Sequence, residues 1–421
     1  MLIRFTRSLH TSVTCLDRAI KTSRDRRLHF QSVNSRAANE ISDDLATLNT
    51  EEPRLPKKKV ALMIGFNGSE YQGMQSNPGA HTIESVLFDA LCKAGAVSQS
   101  NSVDQRKVQL MRAARTDKGV HAACNVVSLK MICEDEHIVQ KLNDLLPRHI
   151  RVWGYVETQR SFHAKTKCDS RVYEYLLPSY ALKCLEKDKE WTSTPQTDRD
   201  IQIATSDGAV LKYVKPTDPQ LLSSYRISQA RFNKFEEAMS HFVGTHNFHN
   251  YTIARNFHDR SSNRYIIDIK VEKPMIFNDT EWISVKLHGQ SFMLHQIRKI
   301  LSMSMLSVRT ETPLSIIPKT FESTKINIPK APALGLLLDR PVFRNYNRHM
   351  SAVGNPRQSI DFDKFKNEIE AFKNEFVYSK IFEKETQERI FDKFLLSMDA
   401  HIHSDYAYFN QFAHIPEKCI L

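Results

Sequence analysis

A single carboxylate sits among cations in Arg112-Ala-Ala-Arg-Thr-Asp-Lys-Gly-Val-His121: Asp117 lies at a glycine-containing turn, with Arg115 and Lys118 beside it. Nearby positive charge favours the ionised carboxylate, which suits Asp117 to act as a nucleophile or base. The same cations can hold a phosphate while the carboxylate faces a base or sugar. Thr-Asp-Lys-Gly is also ordinary turn chemistry, and local sequence leaves both readings open. A second charge stands out at about 291–309. There Leu294, Ile297, Leu301, Met305 and Val308 make one apolar stripe at helical spacing. Arg298 projects roughly 40° from Leu294, inside that stripe, and Lys299 projects away from it. A guanidinium on a buried face is costly unless paired, so Arg298 calls for a carboxylate, which it can grip bidentately. Asp117 is the foremost partner; Glu174, Asp268 and solvent are the alternatives. Tyr173 shares a strand face with Arg171 and Tyr175. A ring so placed either stacks on an extruded base or serves as core. The polar, aromatic run Gly244-Thr-His-Asn-Phe-His-Asn-Tyr251 is either a substrate-contacting or a hydrogen-bonded loop.

These residues need a scaffold. The apolar run Val60–Phe66 predicts a buried strand, and Gly65, Gly68 and Gly73 punctuate the loop after it. Thr82 reads as an N-cap, with Glu84 in the first turn, for a helix whose stripe is Ile83, Val86, Leu87, Ala90 and Leu91 and whose stop is Gly95. Strands are predicted near 107–114 and 125–132, at 171–177 before Pro178, and at 264–271 and 282–288. Helices are predicted at 231–243, ended by Gly244, and at about 291–309. Ala333–Leu338 is a last apolar run, and 361–398 reads as two charged, amphipathic helices. Strands and helices mix without a steady βαβ alternation, which predicts an α+β fold with helices on one side of a sheet.

The totals bound the function classes. The chain has 421 residues, enough for two or three ordinary units. No apolar run approaches the roughly 20 residues that span a bilayer. Net charge is +11; residues 1–36 carry eight basic against two acidic side chains and 361–421 carry eight against twelve. Residues 37–360 therefore hold +9, which suits a phosphate-contacting surface. The seven cysteines are scattered, with no C-x-x-C pair and no zinc spacing, and predict free thiols and no metal. Residues 1–21 are amphipathic, Arg- and Ser-rich and poor in acid, which predicts a mitochondrial transit peptide. Residues 37–56 read as a linker, and 183–226 as a polar insertion with little core of its own.

Ala114-Arg-Thr-Asp-Lys-Gly-Val120, Arg171-Val-Tyr-Glu-Tyr-Leu-Leu-Pro178, Gly244-Thr-His-Asn-Phe-His-Asn250 and Gly289-Gln-Ser-Phe-Met-Leu-His-Gln-Ile-Arg-Lys299 occur in this order. With Gly73-Met-Gln75, Thr82-Ile-Glu84 and Pro329-Lys-Ala-Pro-Ala-Leu-Gly-Leu336 they resemble the TruA-type family of tRNA pseudouridine synthases, most closely its eukaryotic branch. The resemblance covers most of 57–400, with 183–226 poorly matched. It implies that Asp117 is the catalytic aspartate, that Tyr173 stacks on the target base and that Arg298 pairs with Asp117. It further implies that Arg115, with Lys118 beside it, helps bind and draw out the target nucleotide. The implied fold is a mixed, mainly antiparallel central sheet flanked by helices, with two similar halves, 57–182 and 227–345, around a basic cleft and a C-terminal helical extension over 346–421. The implied activity converts uridines of tRNA to pseudouridine without cofactor or metal, in a monomer of mitochondrion or nucleus. Messenger and small nuclear RNA are further candidate substrates. One departure is His121, where the eukaryotic branch commonly has Ser. A non-catalytic RNA-binding protein, a metal-dependent nuclease and a sister synthase acting elsewhere on the anticodon stem-loop are the rival readings.

Overall fold

The computed structural model describes residues 55–185, 191–198, 200–204, 211–352 and 357–421. The segment expected to be a transit peptide lies outside the described residues, as does nearly all of the 37–56 linker. The compact unit spans Pro56–Leu421.

Its frame is a mixed sheet. The strands are β1 (Lys57–Phe66), β2 (Met111–Arg112), β3 (His121–Ile132), β4 (Ile150–Glu157), β5 (Ser170–Pro178), then β6 (Ile201–Ala204) and β7 (Leu211–Val214) as a separate hairpin. They continue with β8 (Gly244–Asn247), β9 (Asn263–Val271), β10 (Met275–Phe277), β11 (Thr280–Gly289) and β12 (Leu336–Val342). The order across the sheet is β4-β1-β3-β12-β5-β11-β9-β8, with β2 on β3 and β10 on β11. Every pairing is antiparallel except β12 with β3. The last strand of the chain, β12, therefore lies between the two strand groups and brings β3 and β5 within one strand of each other.

The principal helices are α1 (Ile83–Lys93), α2 (Ile138–Leu145), α3 (Gln229–Ser240) and α4 (Gln296–Arg309). Two more runs follow: Lys366–Glu388, which includes a π-helical stretch at Lys373–Tyr378, and Ile390–His401. Thr82 caps α1 as expected, and its capping-box partner is Ser85. Gly95 takes the left-handed backbone that ends the helix. The 183–226 segment contains the β6–β7 hairpin, whose Ile203 and Val214 pack on Leu396.

Three expectations need correction. Residues 60–67 and nearly all of β3 are buried without alternation, so both faces of the sheet are covered rather than one. On one of those faces Phe372 packs edge-on against Trp153, at 5.3 Å, and Lys373 reaches Glu174. The strand predicted at 107–114 shrinks to Met111–Arg112, because Gln105–Val108 forms a 3-10 turn. α4 starts at Gln296, not near 291.

Where β3 begins, burial sets an acid sensitivity. The His121 side chain is fully buried, and its Nδ1 accepts a hydrogen bond from the Gly68 N–H at 3.2 Å, which requires the neutral ring. Burial first, and then the charge of Lys384, pull its pKa down to about 4. An unfolded chain takes up this proton near pH 6.5, whereas the folded one resists it to about pH 4. Stability is therefore lost as pH falls through that window, by roughly 2–3 kcal/mol between pH 7 and 4.5. Urea unfolding at both pH values, on wild type and on His121→Gln, is expected to show a pH-dependent loss that is smaller in the variant by about this amount. Equal losses would exclude the buried ring as the cause.

Candidate active site

Asp117 is presented by a turn held from three sides. The Val120 N–H closes it on the Asp117 carbonyl at 3.1 Å, and Gly119 supplies the left-handed residue, φ +76°. Behind it, the Thr116 carbonyl accepts from Met74 N–H at 3.2 Å. Gly73, at φ +98°, passes so close that a Cβ there would stand 2.8 Å from the Thr116 oxygen. The side-chain amide of buried Asn125 then holds Ala114 at both its N–H (3.3 Å) and its carbonyl (3.0 Å), much as a neighbouring strand would. Finally the guanidinium of Arg171 donates to Ala113 O (2.9 Å) and Gln290 O (3.0 Å), tying the turn to the loop across the site.

Below this turn lies a buried ion pair. Glu84, fully buried, pairs with Arg112 and accepts from the Ser76 N–H at 2.9 Å. Burial raises the Glu84 pKa against the opposing pull of Arg112. The pair joins the start of α1, the loop after Gly73 and strand β2, so it positions the Asp117 turn without reaching it. The sequence offers only a first-turn acid and a strand arginine; nothing in their spacing marks them as partners.

Across the site, loop 290–295 leads from β11 into α4. Phe292 meets Tyr173 edge-on, with ring centroids 5.2 Å apart. Met293 N–H donates to the Gln296 side chain at 2.8 Å, and His295 enters the helix in the left-handed conformation, φ +63°. This turns His295 toward the carboxylate: Nδ1 stands 3.6 Å from Asp117 Oδ2, too far for a hydrogen bond. Burial lowers the His295 pKa; Lys330 adds to that and Asp117 opposes it. Sequence reasoning quoted His295 inside a motif but gave it no role, since a left-handed histidine leaves no mark in a sequence.

Arg298 and Lys299 trade places relative to expectation. Lys299 is the buried one, 8% exposed, donating to Asn250 O (3.0 Å) and Thr252 O (3.3 Å). Arg298 is half-buried and gives its Nε–H to Ala331 O at 2.6 Å. Burial lowers its pKa, and Tyr175 and Asp117 act against that, so it lies within electrostatic reach of Asp117. The direct Arg298–Asp117 ion pair is not formed: among the described residues the basic side chain nearest the Asp117 carboxylate is the His295 imidazole. The helical projection erred because α4 has almost no wet side. Ser302, Ser304 and Ser307 are as buried as Leu301 and Met305, so an offset from the apolar stripe does not mean exposure.

Tyr173 is 9% exposed and paired between Leu287 of β11 and Leu338 of β12. Burial pushes its phenol up to about 12, with Arg171 lowering it and Asp117 raising it, so it is neutral at physiological pH. Arg115 and Lys118 are exposed, and neither forms a hydrogen bond or ion pair with a described residue. The structure thus brings Asp117, Tyr173 and Arg298 to one place, adds His295, and leaves two cations at the rim. A half-exposed carboxylate beside a neutral histidine, a buried phenol and free guanidinium and ammonium groups can act as nucleophile or base on a bound anionic ligand. Among the described residues no group of His, Cys, Asp and Glu has the arrangement of a metal site.

Comparison with known proteins agrees with this geometry. Residues 238–344 match the family model described as tRNA pseudouridine synthase. "tRNA pseudouridine synthase 1" of Candida albicans (strain SC5314 / ATCC MYA-2876) is 42% identical over 411 residues, covering 83% of this chain and 67% of that protein. The protein of the same name from Saccharomyces cerevisiae (strain ATCC 204508 / S288c) is 43% identical over 366 residues, covering 76% and 67%. "Pseudouridylate synthase 1 homolog" of Mus musculus is 35% identical over 356 residues, covering 83% and 76%. With Asp117 on its turn at the meeting point of β3, β5 and α4, and with this identity along most of its length, the chain belongs to the TruA-type tRNA pseudouridine synthase family of isomerases.

Proposed function

We propose that this chain converts specific uridines of tRNA to pseudouridine, with Asp117 as the catalytic carboxylate and with no cofactor. The observation that carries the reading is the half-exposed Asp117 carboxylate set among His295, Tyr173 and Arg298, with Arg115 and Lys118 free at its rim. The reaction is redox-neutral and moves no group between molecules. The N1–C1′ bond breaks, uracil rotates, C5 bonds to C1′, and the C5 proton leaves as N1 gains one. Such a sequence needs one positioned carboxylate and a dry, shaped pocket, not an electron or group carrier. Attack of Asp117 on C1′, attack on C6 and removal of the 2′ proton are the three ways in which it can begin.

The target base is unreachable while stacked, so it is extruded at a cost of a few kcal/mol, by order of magnitude. Arg115 and Lys118 bind the phosphates flanking it, and the wider +9 charge of residues 37–360 lines a basic cleft between two similar halves of the sheet. Tyr173 receives the base once Phe292 swings aside. Arg298 closes on Asp117 when the ligand displaces water, and the helices beyond 346 brace the back of the sheet as a C-terminal extension of a monomer. Messenger or small nuclear RNA presenting the same local shape is a substrate under the same rules. The amphipathic residues 1–21 direct the chain to the mitochondrion or, when bypassed, to the nucleus.

The test is tritium release from tRNA transcripts labelled at uridine C5, in the presence of excess chelator. One tritium is expected per uridine converted. No release from any transcript would reject the activity, and release only without chelator would reject cofactor independence.

A further inference from the structure

Two aliphatic side chains stand exposed on pinned loops, one of which leads directly into His295, the residue that faces Asp117. Leu294, 51% exposed, immediately precedes His295, the residue facing the carboxylate. Ile253, 50% exposed, follows Thr252, whose hydroxyl donates to the Leu294 carbonyl at 3.0 Å, so the two loops are stitched together at their tips. Lone exposed aliphatics are common on proteins and need no explanation. These two differ in their support. Lys299, buried, donates to the carbonyls of Asn250 and Thr252, and Lys325 to those of His249 (2.8 Å) and Arg255 (3.0 Å). Two ammonium groups thus grip the backbone on either side of Ile253. Each aliphatic is followed by a left-handed residue, Ala254 at φ +55° and His295 at φ +63°, which sharpens both tips.

Around the pair the chemistry is cationic. Lys330 is exposed and lies close enough to act electrostatically on His295 and Lys299, whereas exposed Arg255 is paired with Asp259 at 2.5 Å. Arg115 and Lys118 stand on the Asp117 turn. A rigid apolar tip on the same site as the exposed cations Lys330, Arg115 and Lys118 suits a polyanion with flat apolar faces between its charges: stacked nucleic acid bases. An acidic protein partner would meet the same cations without the flat apolar faces to match the tip.

We propose that Leu294 and Ile253 form a wedge that enters the RNA stack where the target uridine leaves it, filling the gap and holding the base out beside Asp117. This rests on the activity proposed above and adds the device that keeps the base extruded. The wedge repays the lost stacking with apolar contact, as inserted side chains do in proteins that kink or unstack nucleic acid. Lys299 and Lys325 hold the loop rigid enough for insertion to do work on the RNA rather than on the protein.

The experiment is single-turnover pseudouridine formation, enzyme in excess, by wild type and by the double variant Ile253→Ala/Leu294→Ala. One substrate is a tRNA transcript carrying a uridine that wild type converts. The other is the same transcript with the bases stacked on that uridine made abasic, so that it is already unstacked. Both side chains are half in water, so the variant is expected to keep its urea midpoint. On the intact transcript the variant is expected to be slower by roughly 10–100-fold. On the unstacked transcript it is expected to come within about threefold of wild type, because unstacking no longer contributes to the barrier. No loss on the intact transcript, or an equal loss on both, overturns the wedge while the activity stands. Wild type inactive on both transcripts overturns the activity, and the wedge with it.

Discussion

Replacing Asp117 with Ala is expected to lower the single-turnover rate of pseudouridine formation by at least about 10³-fold and to leave tRNA affinity within a few-fold. The asymmetry follows from where the side chain sits. Its carboxylate is partly exposed at a turn whose hold comes from backbone bonds, the Thr116 carbonyl to Met74 and the Asn125 amide to Ala114. None of these uses the Asp117 side chain, so the turn survives its removal. On the proposed reading tRNA is held by cations spread over the basic middle of the chain, and one lost negative charge favours a polyanion. Asp117→Asn keeps the shape and removes only the charge, so it should fall as far as Asp117→Ala if the carboxylate is nucleophile or base. Tritium release and filter binding on the same preparations read both quantities. A variant that converts uridine at more than a tenth of the wild-type rate would remove Asp117 from the chemistry.

The second large effect lies on the opposite face of β5. Strand alternation that directs Tyr173 and Tyr175 one way directs Glu174 the other, where it meets the C-terminal helices. Lys373, 3% exposed, reaches Glu174 Oε2 at 3.0 Å and Asp339 Oδ1 at 3.3 Å, while Tyr378 and Ser284 hydroxyls donate to the two Glu174 oxygens at 2.8 and 2.6 Å. Burial alone would discharge the lysine, yet Glu174, Tyr378 and Asp339 together hold its pKa above the ordinary value. Lys373→Met leaves the buried Glu174 carboxylate without its lysine, while Asp339 keeps Arg340 at 3.3 Å, and is expected to cost about 3–5 kcal/mol. Adding Glu174→Gln removes that stranded charge, so Glu174→Gln/Lys373→Met should recover a large part of that loss. Urea unfolding of the three chains measures it. A single-variant loss below about 1 kcal/mol would mean that the cluster is wet and not a clamp.

The residues proposed to do chemistry are more legible in the sequence than the way they are held. A carboxylate among cations at a glycine turn shows in eight consecutive letters, and the α1 cap shows as Thr82 before an apolar stripe. Those are local properties, set by turn chemistry and periodicity. The helix carrying Arg298 was legible as a helix but not as a surface. Its stripe was read as one dry side, whereas the sheet, α3 and the loops around it leave Lys299 more buried than Arg298. Leu294, counted in that stripe, lies outside the helix and half in water, because left-handed His295 turns the chain just before Gln296.

Sequence by itself determined the type of fold and the family, and it singled out Asp117 as the candidate carboxylate, since each rests on residue types in short runs and on their order. Tertiary structure alone decided which cation faces Asp117, which lysine is buried, that Glu84 joins Arg112, and that Glu174, Asp339 and Lys373 form one buried cluster. The reason is the sheet order. β12, last in the sequence, lies between β3 and β5, so groups more than 150 residues apart become neighbours. Pairings of that kind depend on the whole path of the chain, and no window of sequence contains it.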